Sequence, residues 1–260
     1  MERGGVAHNA YGRLRAADRG DRLLDMVFGT GAAGLNLIFD ADDTLWESNI
    51  HFLEAEAAFI AMLERVGGCG RDAIRKTLRY HELKIIAEAG YGRVHYVTAL
   101  HRVIPELAPA HYHKNLRGEV EQIGRRLLNR RCEVMPGVAE TLEVLAKRHR
   151  LLLFTKGHPD EQLAKLEHSG LRRFFSRIGV PWEKNSLNYQ LLLAQAELNP
   201  AQTVMIGNSP RSDINPALEA GLYAVYIPYL HTWELEDAAI DHACGRVVTV
   251  TAFPHLSEVF

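Results

Sequence analysis

The stretch Leu35-Asn-Leu-Ile-Phe-Asp-Ala-Asp-Asp-Thr-Leu-Trp46 decides how this chain folds. Residues 35–39 form a largely apolar run of strand length, which is typical of a strand buried on both faces of a parallel sheet. The run ends at Asp40, and a second carboxylate, Asp42, follows two residues later. The predicted strand therefore presents paired carboxylates at its carboxyl end.

Beyond Met135-Pro-Gly137 the chain alternates between apolar strand-like runs and helical patterns. The predicted strands cover residues 151–154, 177–180, 203–206, 224–227 and 247–250, and the predicted helices cover 138–149, 159–169, 187–198 and 214–220. Repeated βα units with apolar strands predict an α/β fold with a doubly wound parallel sheet. Ligands of such sheets bind beyond the carboxyl ends of the strands, so the site is expected there.

Between these two parts, residues 53–132 carry apolar side chains at three- and four-residue intervals and no strand pattern. We therefore predict an all-helical inserted domain over 53–132 and a core domain made of 34–52 and 133–260. Residues 1–33 are predicted to be an N-terminal extension. The stretch Gly29-Thr-Gly-Ala-Ala-Gly34 matches the dinucleotide fingerprint in its letters, but a strand follows it instead of a helix, which favours a linker.

Composition excludes several classes of function. The 260 residues are 47% hydrophobic, enough for a sizeable core, and a net charge of -2 gives no electrostatic basis for binding nucleic acid or an anionic membrane. The apolar runs are too short to cross a bilayer, and the first residues lack the apolar segment of a signal peptide. Three widely spaced cysteines suit neither a disulfide framework nor a zinc site. We expect a cytoplasmic protein, with monomer and homodimer both open.

The predicted strand ends carry polar residues that suit one chemistry. These residues are Asp40 and Asp42, Thr155-Lys156-Gly157, Glu183-Lys184, and Asn208 with Asp213. Phosphoryl transfer requires a nucleophile in line with the leaving oxygen, and cations or hydrogen-bond donors around the other oxygens. Each residue alone would be read as a turn carboxylate, a helix cap or a surface lysine. Their occurrence at successive strand ends favours a joint site.

Each group has a candidate role. Asp40 is the candidate nucleophile, because a carboxylate can form an aspartyl-phosphate and divide the displacement into two steps. Asp42 is the candidate general acid and base, which protonates the leaving alcohol and then deprotonates water. Thr155-Lys156-Gly157 offers a hydroxyl and backbone N–H groups to the phosphoryl oxygens, and Lys184 offers a compact positive charge. Nearby carboxylates also attract Mg²⁺, which takes few protein oxygens and keeps several waters.

The chain resembles the haloacid dehalogenase (HAD) superfamily at four motifs. They are Phe39–Trp46, Leu153–Gly157, Glu183-Lys184 and Met205–Asp213. The resemblance covers residues 35–53 and 134–235, and the helical insertion after the first motif resembles the C1-type cap of that superfamily. It implies a Rossmann-like core with a cap domain, in the phosphatase-like branch.

The resemblance also implies roles for single residues. Asp40 would be both nucleophile and metal ligand, and Asp42 would be the general acid and base, with its backbone carbonyl also meeting the metal. Asn208 and Asp213 would complete the Mg²⁺ site. Trp46-Glu47 would fall in the mobile segment that links core and cap.

One residue departs from the pattern of the superfamily. The fourth motif usually has an acidic residue directly after its glycine, where this chain has Asn208. An amide oxygen still coordinates Mg²⁺ but brings one negative charge fewer, so either the metal is held less tightly or Asp213 takes a larger share. A working enzyme with a weaker site and a catalytically silent relative are both open, and the remaining site residues favour the first.

Asp42 separates the reaction classes within the superfamily. Its dehalogenases lack the second aspartate, because no leaving alcohol needs a proton, and the related phosphonate-cleaving enzymes have a small residue there. We therefore expect Mg²⁺-dependent hydrolysis of a phosphate monoester, with a small phosphorylated metabolite as substrate. The alternatives are a phosphomutase or phosphotransferase of the same fold, and a catalytically weak binding protein because of Asn208.

The cap is expected to select the substrate. Residues 53–132 contain 14 Arg and Lys against 9 Asp and Glu, which suits an anionic substrate, although solvated helix faces explain most of these residues. Within the cap, Tyr91-Gly-Arg93 is the candidate substrate-reading loop, with Arg93 as a ligand for a carboxylate or a second phosphate. An interhelical turn with an exposed arginine is the alternative.

Overall fold

The computed structural model describes residues 34–67 and 69–260. Its sheet contains β1 (Asn36–Phe39), β2 (Arg150–Phe154), β3 (Arg177–Gly179), β4 (Thr203–Gly207), β5 (Tyr223–Tyr226) and β6 (Val247–Thr249). The order is β3-β2-β1-β4-β5-β6, and every neighbouring pair is parallel. The predicted parallel sheet is confirmed, and each predicted strand is present with ends shifted by no more than one residue.

Helices follow the strands as the sequence predicts. They are α1 (Asn49–Val66), α2 (Arg71–Ala89), α3 (Arg93–Leu107), α4 (His113–Leu128), α5 (Val138–Leu145), α6 (Pro159–Ser169), α7 (Ser186–Ala196), α8 (Asn215–Glu219) and α9 (Leu256–Val259). The helix predicted over 138–149 is shorter than expected. It ends at Leu145 because Lys147 and Arg148 form turns that lead into β2, with their N–H groups on the carbonyls of Val144 and Leu145.

Strand β1 lies between β2 and β4, and both of its faces are buried. Leu37 and Phe39 belong to an apolar cluster on one side of the sheet, and Ile38 belongs to a second cluster on the other side. None of these three side chains is exposed to solvent. Burial on both faces explains why the run before Asp40 is apolar and does not alternate with polar residues.

Helices α1–α4 pack around an apolar cluster of their own. Each contributes large buried side chains, such as Phe59 of α1, Ile74 of α2, Leu100 of α3 and Val120 of α4. Among the described residues, this cluster shares no buried member with the two clusters on the sheet faces. We call these four helices the cap. The limits predicted for it, 53 and 132, remain a prediction.

Asp43 fixes the junction between β1 and the cap. Its carboxylate Oδ1 accepts hydrogen bonds from the backbone N–H groups of Ser48, at 2.9 Å, and Asn49, at 3.0 Å, at the start of α1. Its φ of 63° is unusual for a residue other than glycine, and the paired N–H groups hold it there. Burial raises the pKa of Asp43 to about 7, and the charge of Asp42 adds to this effect. The first motif is thus tied directly to the first cap helix.

The predictions for the N-terminal residues concern a part of the chain that lies largely outside the described residues. The predicted extension, residues 1–33, lies outside the described residues, and with it all of the glycine-rich stretch except Gly34. Gly34 itself has a φ of 79°, and its N–H donates to the carbonyl of Arg148 at 2.7 Å. Within the described ranges, no helix is both long enough and apolar enough to cross a membrane.

Candidate active site

A cavity of about 700 Å³ separates the carboxyl edge of the sheet from cap helices α1, α2 and α3. The predicted site residues that line it are Asp40, Asp42, Thr155, Lys156, Gly157, Lys184, Asn208 and Asp213. Parallel strands place all their carboxyl ends at one edge, so residues far apart in sequence meet there. Of the predicted site residues, Arg93 is the one that does not line this cavity.

Lys184 joins two carboxylates at the base of the cavity. Its ammonium donates to Oδ1 of Asp40 and, at 2.6 Å, to Oδ1 of Asp213, and all three side chains are buried. Burial raises the pKa of Asp40, while Lys184 opposes the rise. Burial, with the charge of Asp40, raises the pKa of Asp213 to about 7. Burial disfavours the ammonium as well, but the two carboxylates outweigh it and raise the pKa of Lys184 above its ordinary value.

The charges in this cluster fit a divalent cation. When Asp40 and Asp213 are both ionised, they share the single positive charge of Lys184, and one negative charge is left over in a buried environment. An uncompensated buried charge is costly, and a cation held by carboxylate oxygens removes that cost. Mg²⁺ prefers such oxygen ligands. The donor set therefore fits the metal that the sequence predicts.

Asn208 presents an oxygen, and not its amide nitrogen, toward this cluster. Its Nδ2 donates to Oγ1 of Thr232 at 2.9 Å, and the Thr232 hydroxyl in turn donates to the carbonyl of Tyr229 at 2.9 Å. Because Thr232 uses its proton in this way, it can only accept from Asn208, which fixes the amide orientation. The Oδ1 atom of Asn208 lies 3.1 Å from Oγ1 of Thr44, whose hydroxyl also lies 3.0 Å from Asp40.

Asp42 is held by side chains that the sequence reasoning did not identify. Lys165 on α6 binds both carboxylate oxygens, at 3.0 and 2.9 Å, and Gln162 donates to Oδ2 at 2.9 Å. The indole of Trp46 donates to Oδ1 at 2.6 Å. Burial opposes the charge of Asp42, but Lys165 and these hydrogen bonds outweigh it and hold the pKa of Asp42 below its ordinary value. The carboxylate is therefore ionised in this arrangement.

The second motif, Thr155-Lys156-Gly157, lines the cavity directly after β2. Thr155 is buried at the edge of the cavity, and Gly157 has a φ of 143°, where a Cβ would lie 2.6 Å from Nε2 of Gln162. The ammonium of Lys156 is directed to Glu236 and, at 3.0 Å, to the hydroxyl of Ser212. Lys156 thus has its own carboxylate partner.

Gly207, at the end of β4, leaves room for the side chain of Asp213. A Cβ at this position would lie 2.2 Å from Oδ2 of Asp213. We expect Gly207→Ala to displace that carboxylate and to lower the free energy of unfolding by about 1–3 kcal/mol. Chemical denaturation measures the change. The matched control is Gly118→Ala on α4, where a Cβ meets no atom within 4 Å and where the helix should gain stability.

Arg93 lies in the wall of the cap and not in the substrate cavity. Its guanidinium is buried, donates to the carbonyl of Arg130 at 2.9 Å and of Leu127 at 3.4 Å, and lies 3.3 Å from Glu161. These contacts secure the end of α4 against α3. The structure therefore does not support Arg93 as a substrate ligand, and the alternative of an exposed arginine does not hold either.

Tyr91, the other half of the predicted substrate-reading loop, contacts the core. Its hydroxyl donates to Glu183, the ammonium of Lys156 lies 4.6 Å from the centre of its ring, and Trp233 packs against it edge-on at 6.3 Å. The flanking Gly90 and Gly92 have φ values of 87° and 144°, which the tight turn requires. The loop closes one side of the cavity.

The fold and the site together define an α/β protein with a buried cluster of charged side chains between a parallel sheet and a helical cap. Residues 36–221 match the family model of the haloacid dehalogenase-like hydrolases. The chain belongs to this family of hydrolases. The sequence-based resemblance, the fold and the assignment as an enzyme of this family are confirmed.

The relatives match most of the chain. The chain is 27% identical over 239 residues, 86% of its length and 96% of the relative's, to a glyceraldehyde 3-phosphate phosphatase of Methanothermobacter thermautotrophicus. A haloacid dehalogenase-like family hydrolase from Xanthomonas campestris superposes with a TM-score of 0.77 at 31% identity, covering 87% of this chain and 94% of that one. A 2-haloacid dehalogenase from Pseudomonas syringae superposes with a TM-score of 0.57 at 20% identity, covering 87% and 97%, which reflects the fold alone.

Proposed function

We propose that the protein is a Mg²⁺-dependent phosphatase that hydrolyses a small-molecule phosphate monoester through an aspartyl-phosphate on Asp40. The observation that carries the proposal is the buried bridge of Lys184 between Asp40 and Asp213 at the base of the cavity. Such a bridge aligns a carboxylate nucleophile and supplies positive charge where phosphoryl oxygens would lie. The name of the Methanothermobacter relative supports the same class of reaction.

In the first step, a carboxylate oxygen of Asp40 forms a bond to phosphorus while the bond from phosphorus to the ester oxygen breaks. Asp42 gives a proton to that leaving oxygen. In the second step, water attacks phosphorus, Asp42 takes the proton of the water, and the bond to Asp40 breaks to release phosphate. Thr155 and Lys184 hold the phosphoryl oxygens, together with the N–H groups of Lys156-Gly157.

Mg²⁺ supplies charge neutralisation on the phosphoryl oxygens when bound. The residues proposed to hold it are Asp40, Asn208, Asp213 and the backbone carbonyl of Asp42. The side chain of Asp42 is excluded from this set, because Lys165 and its other partners already occupy both carboxylate oxygens.

The contacts of Asp42 fit the second step directly. An ionised carboxylate accepts a proton from water, as that step requires, whereas donation to a leaving alcohol requires that Asp42 first be protonated. Release from Lys165 is therefore part of the first step. Dehalogenation needs no such group, and Asp42 sets this chain apart from that reaction.

The test is a phosphate-release screen over sugar phosphates, phosphorylated acids, nucleotides and a generic aryl phosphate, with Mg²⁺ and with a chelator. The proposal predicts turnover that depends on Mg²⁺. Transfer of the phosphoryl group within a sugar phosphate, without release, would instead favour a phosphomutase. No turnover of any ester with Mg²⁺ present would leave a binding protein as the better description.

Asn208→Asp tests the metal site. The added negative charge beside Asp40 and Asp213 should keep the enzyme active and lower the Mg²⁺ concentration needed for half-maximal rate, by about threefold to tenfold, because a carboxylate binds Mg²⁺ more tightly than an amide does. Titration of the rate with Mg²⁺ measures this. An unchanged requirement would show that Asn208 is not a ligand.

We propose a cytoplasmic location for the enzyme and a small phosphorylated metabolite as its partner. Cys69, Cys132 and Cys244 are free thiols, which suits a reducing compartment. The cavity between sheet and cap has the size of a small-molecule site. A single metabolite with its phosphate at Asp40 and its leaving group toward the cap fits such a cavity.

A further inference from the structure

The cap side of the cavity carries charged and polar side chains that the proposed reaction does not use. These residues are Glu56, Arg75, Lys76, Arg79, Glu82 and Tyr96, on α1, α2 and α3. Since the phosphoryl group is held at the strand ends, these side chains are placed to meet the leaving group of the substrate. Their chemistry therefore bears on which leaving group the enzyme accepts.

Two of the cations on this wall already have partners. Nε of Arg75 lies 2.9 Å from Oε1 of Glu56. Arg79 forms an ion pair with Glu234 of the core, and its guanidinium lies over the ring of Trp233 at 5.4 Å. Each guanidinium is therefore already paired with a carboxylate, which offsets part of its positive charge.

The negative charge of Glu82 is only weakly balanced by a neighbouring cation. Its side chain is 16% exposed, and the ion pair it makes with Nη1 of Arg79 is long, at 3.5 Å. That Nη1 has no hydrogen-bond partner among the described residues. Burial raises the pKa of Glu82 to about 7; the charge of Arg79 opposes the rise, and Glu56 and Glu234 add to it. In its ionised form this carboxylate accepts hydrogen bonds from donors and repels anions.

Tyr96 lines the same cavity as Glu82 and has an unpaired hydroxyl. The residue is 6% exposed, and its hydroxyl has no hydrogen-bond partner among the described residues. Burial raises the pKa of Tyr96, and the charges of Glu82 and Glu56 raise it further. Buried hydroxyls in proteins are normally paired, so a ligand group at this wall would supply the missing partner.

We propose that Glu82 and Tyr96 bind a hydrogen-bond-donating end of the leaving group, a hydroxyl or an ammonium. Substrates with a carboxylate or a second phosphate at that end are disfavoured. This inference rests on the proposed phosphatase function. It replaces the expectation of an anionic substrate, which was drawn from the surplus of Arg and Lys in the cap. In the described part of the cap, three such side chains line this cavity: Arg75, Lys76 and Arg79. Arg75 and Arg79 have carboxylate partners, and Lys76, which has none, is exposed.

The test compares phosphate esters of one chain length with Mg²⁺ present. They are a hexitol monophosphate, an aminohexyl phosphate, hexyl phosphate and the phosphate of the corresponding aldonic acid. We expect kcat/KM to be highest for the hexitol or the amino ester, lower for hexyl phosphate and lowest for the acid. The first two esters distinguish a hydroxyl from an ammonium.

Two variants test whether Glu82 and Tyr96 cause the preference among these esters. Glu82→Gln and Tyr96→Phe should each lower the ratio of kcat/KM for the preferred ester to that for hexyl phosphate by about tenfold, the value of one hydrogen bond of ordinary strength. Glu82→Gln should act most strongly on the amino ester, because it removes a charge. Lys84→Met, which alters an exposed lysine on the same helix as Glu82 but outside the cavity, should leave all the ratios unchanged.

Two outcomes would overturn the inference. Fastest turnover of the aldonic acid phosphate, lost in Lys76→Met, would assign the wall to an anion. Unchanged ratios in both Glu82→Gln and Tyr96→Phe would remove these residues from substrate binding. In either case the phosphatase function stands. No turnover of these four esters would overturn the inference, whereas the phosphatase function fails only if the wider screen with Mg²⁺ also shows no turnover.

Discussion

Asp40→Asn should abolish turnover, lowering kcat for a generic aryl phosphate by at least about 1,000-fold. An amide is a poor nucleophile and cannot form the acyl phosphate on which the proposed reaction depends. The fold should survive the change. Burial raises the pKa of Asp40, so the charged form is disfavoured in the folded protein, and a neutral group of the same shape removes that cost.

Phosphate release and chemical denaturation are the two measurements for this variant. The matched control is Asp72→Asn, which alters an exposed carboxylate in the first turn of α2 and should change neither quantity. Residual activity of Asp40→Asn within tenfold of the parent enzyme would mean that another group attacks phosphorus. A variant that is both inactive and unfolded would be uninformative about attack, which is why stability is measured beside the rate.

Lys184→Met should have the largest effect on stability. The substitution leaves Asp40 and Asp213 buried, close together and without their shared cation. Removing one partner of a buried ion pair costs about 3–5 kcal/mol, and we expect a loss of that order in the free energy of unfolding. Turnover should fall by at least about 100-fold as well, because positive charge on the phosphoryl oxygens is lost.

Mg²⁺ gives this variant an internal check. Since the cation would neutralise the same carboxylates, millimolar Mg²⁺ should recover more stability in Lys184→Met than in the parent protein. Lys147→Met, which alters an exposed lysine after α5, is the control and should behave like the parent. If Lys184→Met unfolds at the same denaturant concentration as the parent, the bridge contributes nothing and the account of the site is wrong.

The parts of the site that lie on strand ends were open to prediction from the sequence. Asp40, Thr155 and Asp213 follow buried strands, and parallel strands deliver their carboxyl ends to one edge. Because each of these residues follows a strand of the same parallel sheet, the sequence alone predicts that they lie close together. Lys184 comes from a loop after β3, and the motif it shares with Glu183 located it.

Contacts made by helix faces and distant loops were not open to prediction. Lys165 reaches Asp42 only because α6 presents that face to the first motif, and one sequence does not give the rotation of a helix. Glu236 meets Lys156 from a loop 80 residues farther along. Likewise the charge count of the cap could not reveal that Arg75 and Arg79 are paired, because pairing depends on which side chains face each other.

Direct detection of the aspartyl-phosphate tests the central claim. The enzyme is quenched in acid during turnover of an aryl phosphate with Mg²⁺, treated with borohydride, which reduces an acyl phosphate to an alcohol, and digested for peptide mass spectrometry. We predict that Asp40 is converted to homoserine, and that omission of substrate prevents the conversion. Conversion of a different aspartate, or an unmodified Asp40 during steady turnover, would contradict attack by Asp40.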